Sequence, residues 1–323
     1  MEKEHSERYD IAIVGSGPAG LMAAVFASRQ GTKVVVFNST EQISNLALAH
    51  SIGNHPGEIK IAGVELLQKM QEQAENMKVN VLYERVVSIE KADSDFLIKT
   101  SSNKEYTSHA VILATGQMNR RAGVLGEDKF SGKGVSYCAL CDGPLYKGKR
   151  VVVVGGGDSA VTSAIALKEM GVGEISILHR RSDFRAEKAN LKRLEDLGIR
   201  KIKDSVIEEI IGDKFVKGIR IKNLNTEQVT EIQTDAVFIE IGYVPTTEIA
   251  KTLEISLDKE GFIKVNSRRA TNVPGIYAAG DVTNSQYKIL VSAYADGAMA
   301  AINAADYVSK LKGQKFTPKI YHE

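Results

Sequence analysis

The chain has 323 residues, with 42 Lys and Arg against 40 Asp and Glu, for a net charge of +2; this near balance excludes the charge excess that recommends a nucleic acid or an anionic membrane as partner. Apolar residues at 43% and charged residues at 25% are ordinary globular values and exclude a wholly disordered chain. At about 150 residues per domain the length predicts about two domains, and two cysteines are too few for a secreted disulfide scaffold.

The opening MEKEHSERYD is charged and lacks the apolar stretch of a secretory signal. No run approaches the ~18 apolar residues of a membrane-spanning helix. The expectation is a cytoplasmic protein with no membrane partner. From Tyr9 to Val14 the chain reads as a short buried strand, followed at once by Gly15-Ser16-Gly17-Pro18-Ala19-Gly20. Leu21 to Gln30 then reads as a helix stopped by Gly31, and Lys33 to Phe37 as a second strand. In such a strand–turn–helix unit Gly15 permits the tight turn, Gly17 lets the backbone approach a pyrophosphate, and Gly20 lets helix pack on strand. The helix N-terminus offers the phosphates free N–H groups and a positive dipole end. The residue expected to hold a ribose hydroxyl after the second strand is Asn38, where Asp or Glu is usual; an amide can still make that bond.

Residues 82–109 read as β-rich, with turns at Asp93-Ser94-Asp95 and Ser101-Ser102-Asn103, and Ala110 to Ala114 as a strand running into Thr115-Gly116. Next comes the C-x-x-C element, Cys138-Ala139-Leu140-Cys141-Asp142. Such a pair can close a small disulfide ring and support thiolate exchange, with Asp142 placed to move a proton to or from the departing thiolate. Zinc would need about four ligands, and no second pair with zinc-like spacing exists, so no metal is expected. Two reduced cysteines without a role remain the plain alternative.

The strand–turn–helix unit then repeats: Arg150 to Val154, Gly155-Gly156-Gly157-Asp158-Ser159-Ala160, a helix from Val161 to Met170, and a strand from Glu174 to Leu178. Ala160 takes the third glycine's place, which a methyl can fill. Here Gly155, Gly157, Asp158, Ser159 and Ala160 would cradle the phosphates. The second strand ends in His179-Arg180-Arg181, with Arg185 beyond. Cationic side chains where an acidic ribose ligand would stand suit a 2′-phosphate, so this turn should prefer NADPH to NADH; otherwise they are a solvated basic turn. Residues 202–234 again read as β-rich, with a turn at Asn223 to Thr226, and Ala236 to Gly242 as a strand. Val244 to Thr247 reads as a hinge. Val273 to Asp281 reads as a last strand and turn, where Asp281 would either bond a ribose or polyol hydroxyl or cap the next helix. Ser292 to Val308 is an Ala-rich helix, and the lysine-bearing tail after it reads as a solvated end.

Taken with GSGPAG at 15–20, ATG at 114–116, YCALCDGPLYKGKRVVVVGGGDSA at 137–160, HRRSDFRA at 179–186, PGIYAAGDV at 274–282 and ADGAMAA at 295–301, the chain resembles the low-molecular-weight, FAD-containing thioredoxin reductases over nearly its whole length. The resemblance implies an α/β protein of two Rossmann-like three-layer nucleotide-binding domains. An NADPH and redox-disulfide domain, 118–246, would be inserted into a discontinuous FAD domain, 1–117 plus 247–323. It implies a homodimer that passes hydride from NADPH to FAD and electrons to a Cys138–Cys141 disulfide, whose dithiol reduces thioredoxin. Cys141 would be the cysteine nearer the flavin and Asp142 the acid. The FAD residues carried over are Gly15, Gly17, Pro18, Ala19, Gly20, Asn38, Asn54, Thr115, Gly116, Gly280, Asp281, Lys288 and Ile289. The inserted domain would rotate about hinges near Gln117 to Arg121 and Tyr243 to Thr247. Ile43-Ser44-Asn45-Leu46 stands where Gly-Gly-Gln-Leu is frequent, and the two added side chains make close approach to a flavin harder. Lys288-Ile289 replaces an Arg-Gln or Lys-Gln pair, and Ala295 a Gly. The alternatives are a flavin disulfide reductase fed by ferredoxin, a dithiol oxidase, or a redox sensor without turnover. The first two tend to lose the basic cluster, which this chain keeps.

Overall fold

The computed structural model describes residues 7–39, 43–47, 49 and 52–319; the charged opening at 1–6 lies outside them. The chain divides into one unit made of Met1–Met118 and Pro245–Glu323 and a second made of Asn119–Val244.

In the first unit the order begins β1 (Glu7–Val14), α1 (Pro18–Arg29), β2 (Val34–Phe37), α2 (Gly63–Asn76), β3 (Asn80–Leu82), β4 (Val86–Ala92), β5 (Asp95–Thr100) and β6 (Glu105–Leu113). Then come β7 (Gln117–Asn119) at the crossing and, in the second unit, β8 (Val135–Ser136), α3 (Ala139–Asp142), β9 (Arg150–Val154), α4 (Asp158–Glu169), β10 (Glu174–Leu178), α5 (Lys188–Asp196), β11 (Arg200–Ile202), β12 (Ser205–Gly212), β13 (Val216–Asn223), β14 (Val229–Gln233) and β15 (Ala236–Ile239). The return crossing is β16 (Tyr243–Pro245), which pairs with β7, and the chain closes with α6 (Glu248–Thr252), β17 (Ile276–Ala278) and α7 (Leu290–Leu311).

The first unit is built on one sheet, ordered β3-β2-β1-β6-β5-β4. Strand β6 is shared: its first half pairs antiparallel with β5, its second half parallel with β17. Both faces of the parallel part are covered, so its strands read as continuous apolar runs. Alternation splits each strand between two cores. Ile11, Ile13, Val34, Val36 and Ile112 face α1, α2 and α7. Ala12, Val14, Val35, Phe37, Val111 and Leu113 face the other way, onto Ile89, Phe96 and Ile98 of the meander. Asp93 at φ 52° and Asn103 at φ 60° make its two turns.

The second unit repeats the plan with a parallel sheet ordered β11-β10-β9-β15-β8 and a separate antiparallel sheet β12-β13-β14. Val151, Val153, Ile175, Ile177 and Phe238 face α4 and α5, while Val152, Val154, Val237 and Ile239 face the antiparallel sheet.

Three differences from the sequence expectations have physical causes. Helix α1 starts at Pro18, three residues before Leu21, because a fixed φ and a missing N–H suit a first helical position. Helix α4 likewise starts at Asp158 and not Val161. The tail is more than a solvated end: Lys319 N–H donates to Gln30 Oε1 at 2.8 Å and Phe316 packs on the α1/α7 core, although Lys315 and Lys319 stay exposed.

Helices α1 and α7 cross closely because small residues line the contact, with Ala19, Ala23, Ala300, Ala301 and Ala304 all buried. A methyl on Gly297 of α7 would collide with the Ala19 carbonyl oxygen and press the Ala23 nitrogen at 3.1 Å. Gly297→Ala is therefore expected to cost about 1–3 kcal/mol and to lower the melting temperature by roughly 3–10 °C; unchanged calorimetric melting would contradict the close crossing.

Candidate functional site

The first glycine turn is made by the ends of three strands meeting at the C-terminal edge of the sheet, where open α/β sheets bind ligands. Gly15 N–H donates to Phe37 O at 2.9 Å and Ala114 N–H to Val14 O at 2.8 Å. Gly15, at φ 109°, lies directly on the Ala114 carbonyl, where a Cβ would collide. These bonds set Asn38 beside Gly15 and bring Thr115 and Gly116 to the same edge. Ala279 N–H to Leu113 O at 3.0 Å adds Gly280 and Asp281, with Gly280 packed so that a Cβ would come within 2.8 Å of the Ala19 side chain.

Helix α1 opens without a side-chain cap and with no acidic residue in its first turn. Its leading N–H groups have no intrahelical acceptor, and no acidic side chain of that turn competes for them. A Cβ at Gly17 would meet only Ser44 Oγ, at 3.5 Å. This uncapped, glycine-lined helix start fits a diphosphate, and therefore fits FAD. Asn54 and Ile289, by contrast, are exposed and tied to this edge by no hydrogen bond among the described residues.

Asp281 is held in a one-turn 3-10 helix over Gly280–Val282, so it caps no following helix. Burial pushes its carboxyl above the usual range, with Lys288 and a hydrogen bond from Gln117 opposing; Gln117 Nε2 donates to Oδ2 at 3.2 Å. Lys288 Nζ lies over the Phe262 ring at 4.1 Å and donates to the carbonyls of Asp281 and Thr283, and burial pulls its ammonium below the usual lysine range. In the departing segment Ile43 is exposed, while Asn45 Nδ2 donates to Gln117 O at 3.0 Å.

The sequence carries Asp296 only inside ADGAMAA at 295–301, with no role of its own. Buried on α7, it accepts from Gly280 N–H at 3.2 Å and Ser285 Oγ at 3.1 Å and pairs with Arg269 at 2.7 Å. It fixes the glycine turn that presents Asp281. A carboxylate inside an Ala-rich helix was the available signal.

In the second unit Gly155 N–H donates to Leu178 O at 2.9 Å, and Gly155 at φ 150° lies on the Glu240 carbonyl. Gly157 has open space where a Cβ would point, leaving Ser159 and Ala160 at the start of α4. Asp158 is turned away: its Oδ1 accepts from Glu187 N–H at 2.9 Å and Asn190 at 3.2 Å. Arg185 N–H donates to Gly156 O at 2.7 Å, which folds the basic loop back over the turn. Arg180, Arg181 and Arg185 are exposed and form no ion pair among the described residues. His179 is buried against Gly156; burial first, then Arg185 and Arg180, push its imidazole down and keep it neutral.

Cys138 and Cys141 are joined as a disulfide with Cα atoms 5.3 Å apart. Cys138 precedes α3, and its Sγ accepts the Cys141 N–H at 3.2 Å. Ser136 Oγ accepts the Cys138 N–H at 3.1 Å, and Asp142 N–H donates to Cys138 O at 3.1 Å. Leu140 and Leu145 stand exposed beside the pair. Just before it, Tyr137 donates to Glu127, a buried carboxylate that also accepts from the N–H groups of Ala122, Gly123 and Val124. Glu240 takes the amide N–H of Ala139 and the Ser163 hydroxyl, the latter at 2.9 Å. None of Ser136, Glu127, Ser163 or Glu240 carries a sequence signal, because each acts through contacts made only on folding. Among the described residues no cluster of three or more His, Cys, Asp or Glu could hold a metal, and no helix is long and apolar enough to cross a membrane.

Comparison with known proteins places this geometry. The profile of the pyridine nucleotide-disulphide oxidoreductase family matches residues 9–304. A thioredoxin reductase of Treponema pallidum is 39% identical over 306 residues, covering 94% of this chain and 98% of that protein. The crystal structure of Lactococcus lactis thioredoxin reductase superimposes with a TM-score of 0.81 at 36% identity, covering 94% of this chain and 99% of that one. A ferredoxin-flavin thioredoxin reductase of Clostridium acetobutylicum is also 36% identical, covers 96% and 100% of the two chains, and has a TM-score of 0.51. Identity alone thus does not separate the two electron donors.

A methyl on Gly156 would collide with the His179 ring and displace the loop that Arg185 ties down. Gly156→Ala is expected to weaken binding of 2′,5′-ADP roughly tenfold, or ~1.4 kcal/mol. Calorimetry showing an unchanged affinity would remove His179 and its loop from the nucleotide cradle.

Proposed function

The chain belongs to the pyridine nucleotide-disulphide oxidoreductase family, and within it we propose that the protein is an NADPH-dependent thioredoxin-disulfide reductase. The observation that carries this reading is the unpaired basic cluster Arg180, Arg181 and Arg185, clamped to the second glycine turn through Gly156. An arginine fork binds phosphate in two-pronged fashion, so the cluster supports a 2′-phosphate and disfavours a reading in which ferredoxin or oxygen replaces NADPH. The Asn119–Val244 unit is accordingly the NADPH and redox-disulfide domain, and the remaining unit the FAD domain.

FAD, when bound, supplies the two-electron relay between a nicotinamide and the disulfide. Gly15, Gly17, Pro18, Ala19 and Gly20 hold its diphosphate through the start of α1, Asn38 takes a ribose hydroxyl, and Asp281 takes a polyol hydroxyl. Thr115, Gly116 and Lys288 line the same edge. Asn54 and Ile289 meet it only through exposed side chains. Gly155, Gly157, Ser159 and Ala160 receive the nucleotide's pyrophosphate, and His179 walls the cradle; Asp158 serves it by anchoring Glu187 and Asn190.

In the dithiol, the Cys141 N–H aimed at Cys138 Sγ stabilises a thiolate on Cys138. That thiolate attacks one sulfur of thioredoxin's disulfide, forming a mixed disulfide and releasing thioredoxin's other sulfur, which takes a proton from Asp142. Cys141 then attacks Cys138, restoring the disulfide and freeing the second thioredoxin thiol, so two electrons leave the pair. Cys141 is accordingly the cysteine that faces the flavin, and the exposed Leu140 and Leu145 give thioredoxin an apolar foothold beside the reacting sulfurs. The working form is a homodimer in the cytoplasm, with no nucleic-acid partner.

Anaerobic NADPH should bleach the flavin of the purified protein, and NADH should do so poorly. Replacing Arg180 and Arg181 by Ala should reduce the preference for NADPH by roughly 10- to 100-fold; an unaltered preference would show that the cluster does not read the 2′-phosphate. Cys141→Ser should abolish thioredoxin reduction while leaving flavin bleaching by NADPH intact. Loss of both activities, or of neither, would contradict the roles given to the two cysteines.

A further inference from the structure

Glu240 directly follows β15, and its backbone and side chain serve two turns of the same unit. Its carbonyl oxygen faces Gly155 of the nucleotide turn, so closely that no side chain fits there. Its carboxyl accepts the N–H of Ala139, the peptide that joins Ala139 to Cys138, and the Ser163 hydroxyl at 2.9 Å. Neither donor is charged. The Ala139 amide would otherwise be free to turn toward a thiolate on Cys138, as the Cys141 amide already does.

We propose that Glu240 is a positioning residue for the redox pair, whose carboxyl holds the Cys138–Ala139 peptide and whose charge sets the reduction potential of the disulfide. The inference rests on the redox role given to Cys138 and Cys141 above. Reduction adds two electrons to the disulfide, with two protons where both thiols form and one where Cys138 remains a thiolate. A carboxylate fixed to the adjoining peptide opposes that negative charge and favours the disulfide; a neutral carboxyl does not. Burial drives the Glu240 carboxyl up to about 7, with Ser163 and the Ala139 amide opposing, so its charge changes within the working range. The elements packed on it add little competing charge. On α3 the titratable side chain besides the cysteines is Asp142, and Tyr146 follows it. On α4, Asp158 is turned to Glu187 and Asn190, Lys168 to the Gly173 carbonyl and Glu169 to Arg193. In β9 the one charged residue, Arg150, pairs with Asp235.

The sign follows. Above pH 7 the wild-type carboxyl is ionised, the thiolate is opposed and the pair is more reducing. Glu240→Gln keeps an acceptor for Ala139 and removes the charge, so the pair should become easier to reduce. The test is equilibration of the FAD-loaded protein in dithiothreitol redox buffers, with the Cys138 and Cys141 thiols counted by alkylation and mass spectrometry. At pH 8 the variant's disulfide–dithiol equilibrium should lie about tenfold further toward dithiol, equivalent to ~30 mV for a two-electron couple. At pH 6, where wild-type Glu240 is mostly protonated, the two proteins should agree within about twofold. Ser163→Ala removes one of the bonds that favour the carboxylate, and should move upward the pH at which the pair's own potential–pH curve, set against wild type, bends; it keeps the test available if the Gln variant does not fold. Equal potentials at pH 8, or an offset that is the same at both pH values, would overturn the inference. The assay uses neither NADPH nor thioredoxin. A wild-type pair that never equilibrates with dithiothreitol would instead overturn the redox role of the cysteines themselves.

Discussion

Everything at both glycine turns depends on one contact: a glycine laid against the carbonyl of the residue just after a neighbouring strand. In the first unit Gly15 lies on Ala114, in the second Gly155 lies on Glu240. Any side chain at either glycine would drive the strand ends apart. The contact draws the start of the following helix down onto the sheet edge, where its leading N–H groups have no intrahelical acceptor and no side-chain cap. The bonds from Gly15 to Phe37 and from Gly155 to Leu178 then fix what stands beside each turn. After Phe37 that is the neutral Asn38; after Leu178 it is the basic run from His179.

The same backbone plan therefore carries two different electrostatic settings. Helix α1 has no acidic residue in its first turn, and the edge around it collects partly desolvated groups, Asp281 and Lys288, whose charges oppose one another. The second turn begins with Asp158, but that carboxylate is spent on ordering Glu187 and Asn190, so the local field is set by three exposed arginines. Buried carboxylates do the remaining positioning. Asp296 secures the Gly280 turn and Glu127 secures the approach to Tyr137, each by taking several N–H or O–H donors that burial would otherwise leave unpaired.

The redox pair belongs to this scheme through Glu240, which carries a nucleotide-turn contact on its backbone and a redox-turn contact on its side chain. A single residue just after one strand thus links the geometry of the second glycine turn to that of the disulfide turn. Neither contact follows from the residue's neighbours in sequence.

The sequence by itself determined the duplicated strand–turn–helix plan, the two glycine turns, the basic cluster and the C-x-x-C pair, because each is a local pattern: a short apolar run, a glycine where only glycine fits, or cysteines two residues apart. It also marked the meander turns at Asp93 and Asn103. Its errors were local as well, since Pro18 and Asp158 were read as turn residues when they are the first residues of helices. Only the tertiary structure decided which carboxylates matter. Asp296 and Glu240 take their donors from distant segments, Glu127 takes its donors from a loop and Tyr137 brought in around it, and a carboxylate in a sequence looks the same whether it is solvated or holds a buried amide. Folding distinguishes them by removing water, because a desolvated carboxylate must find donors or lose its charge.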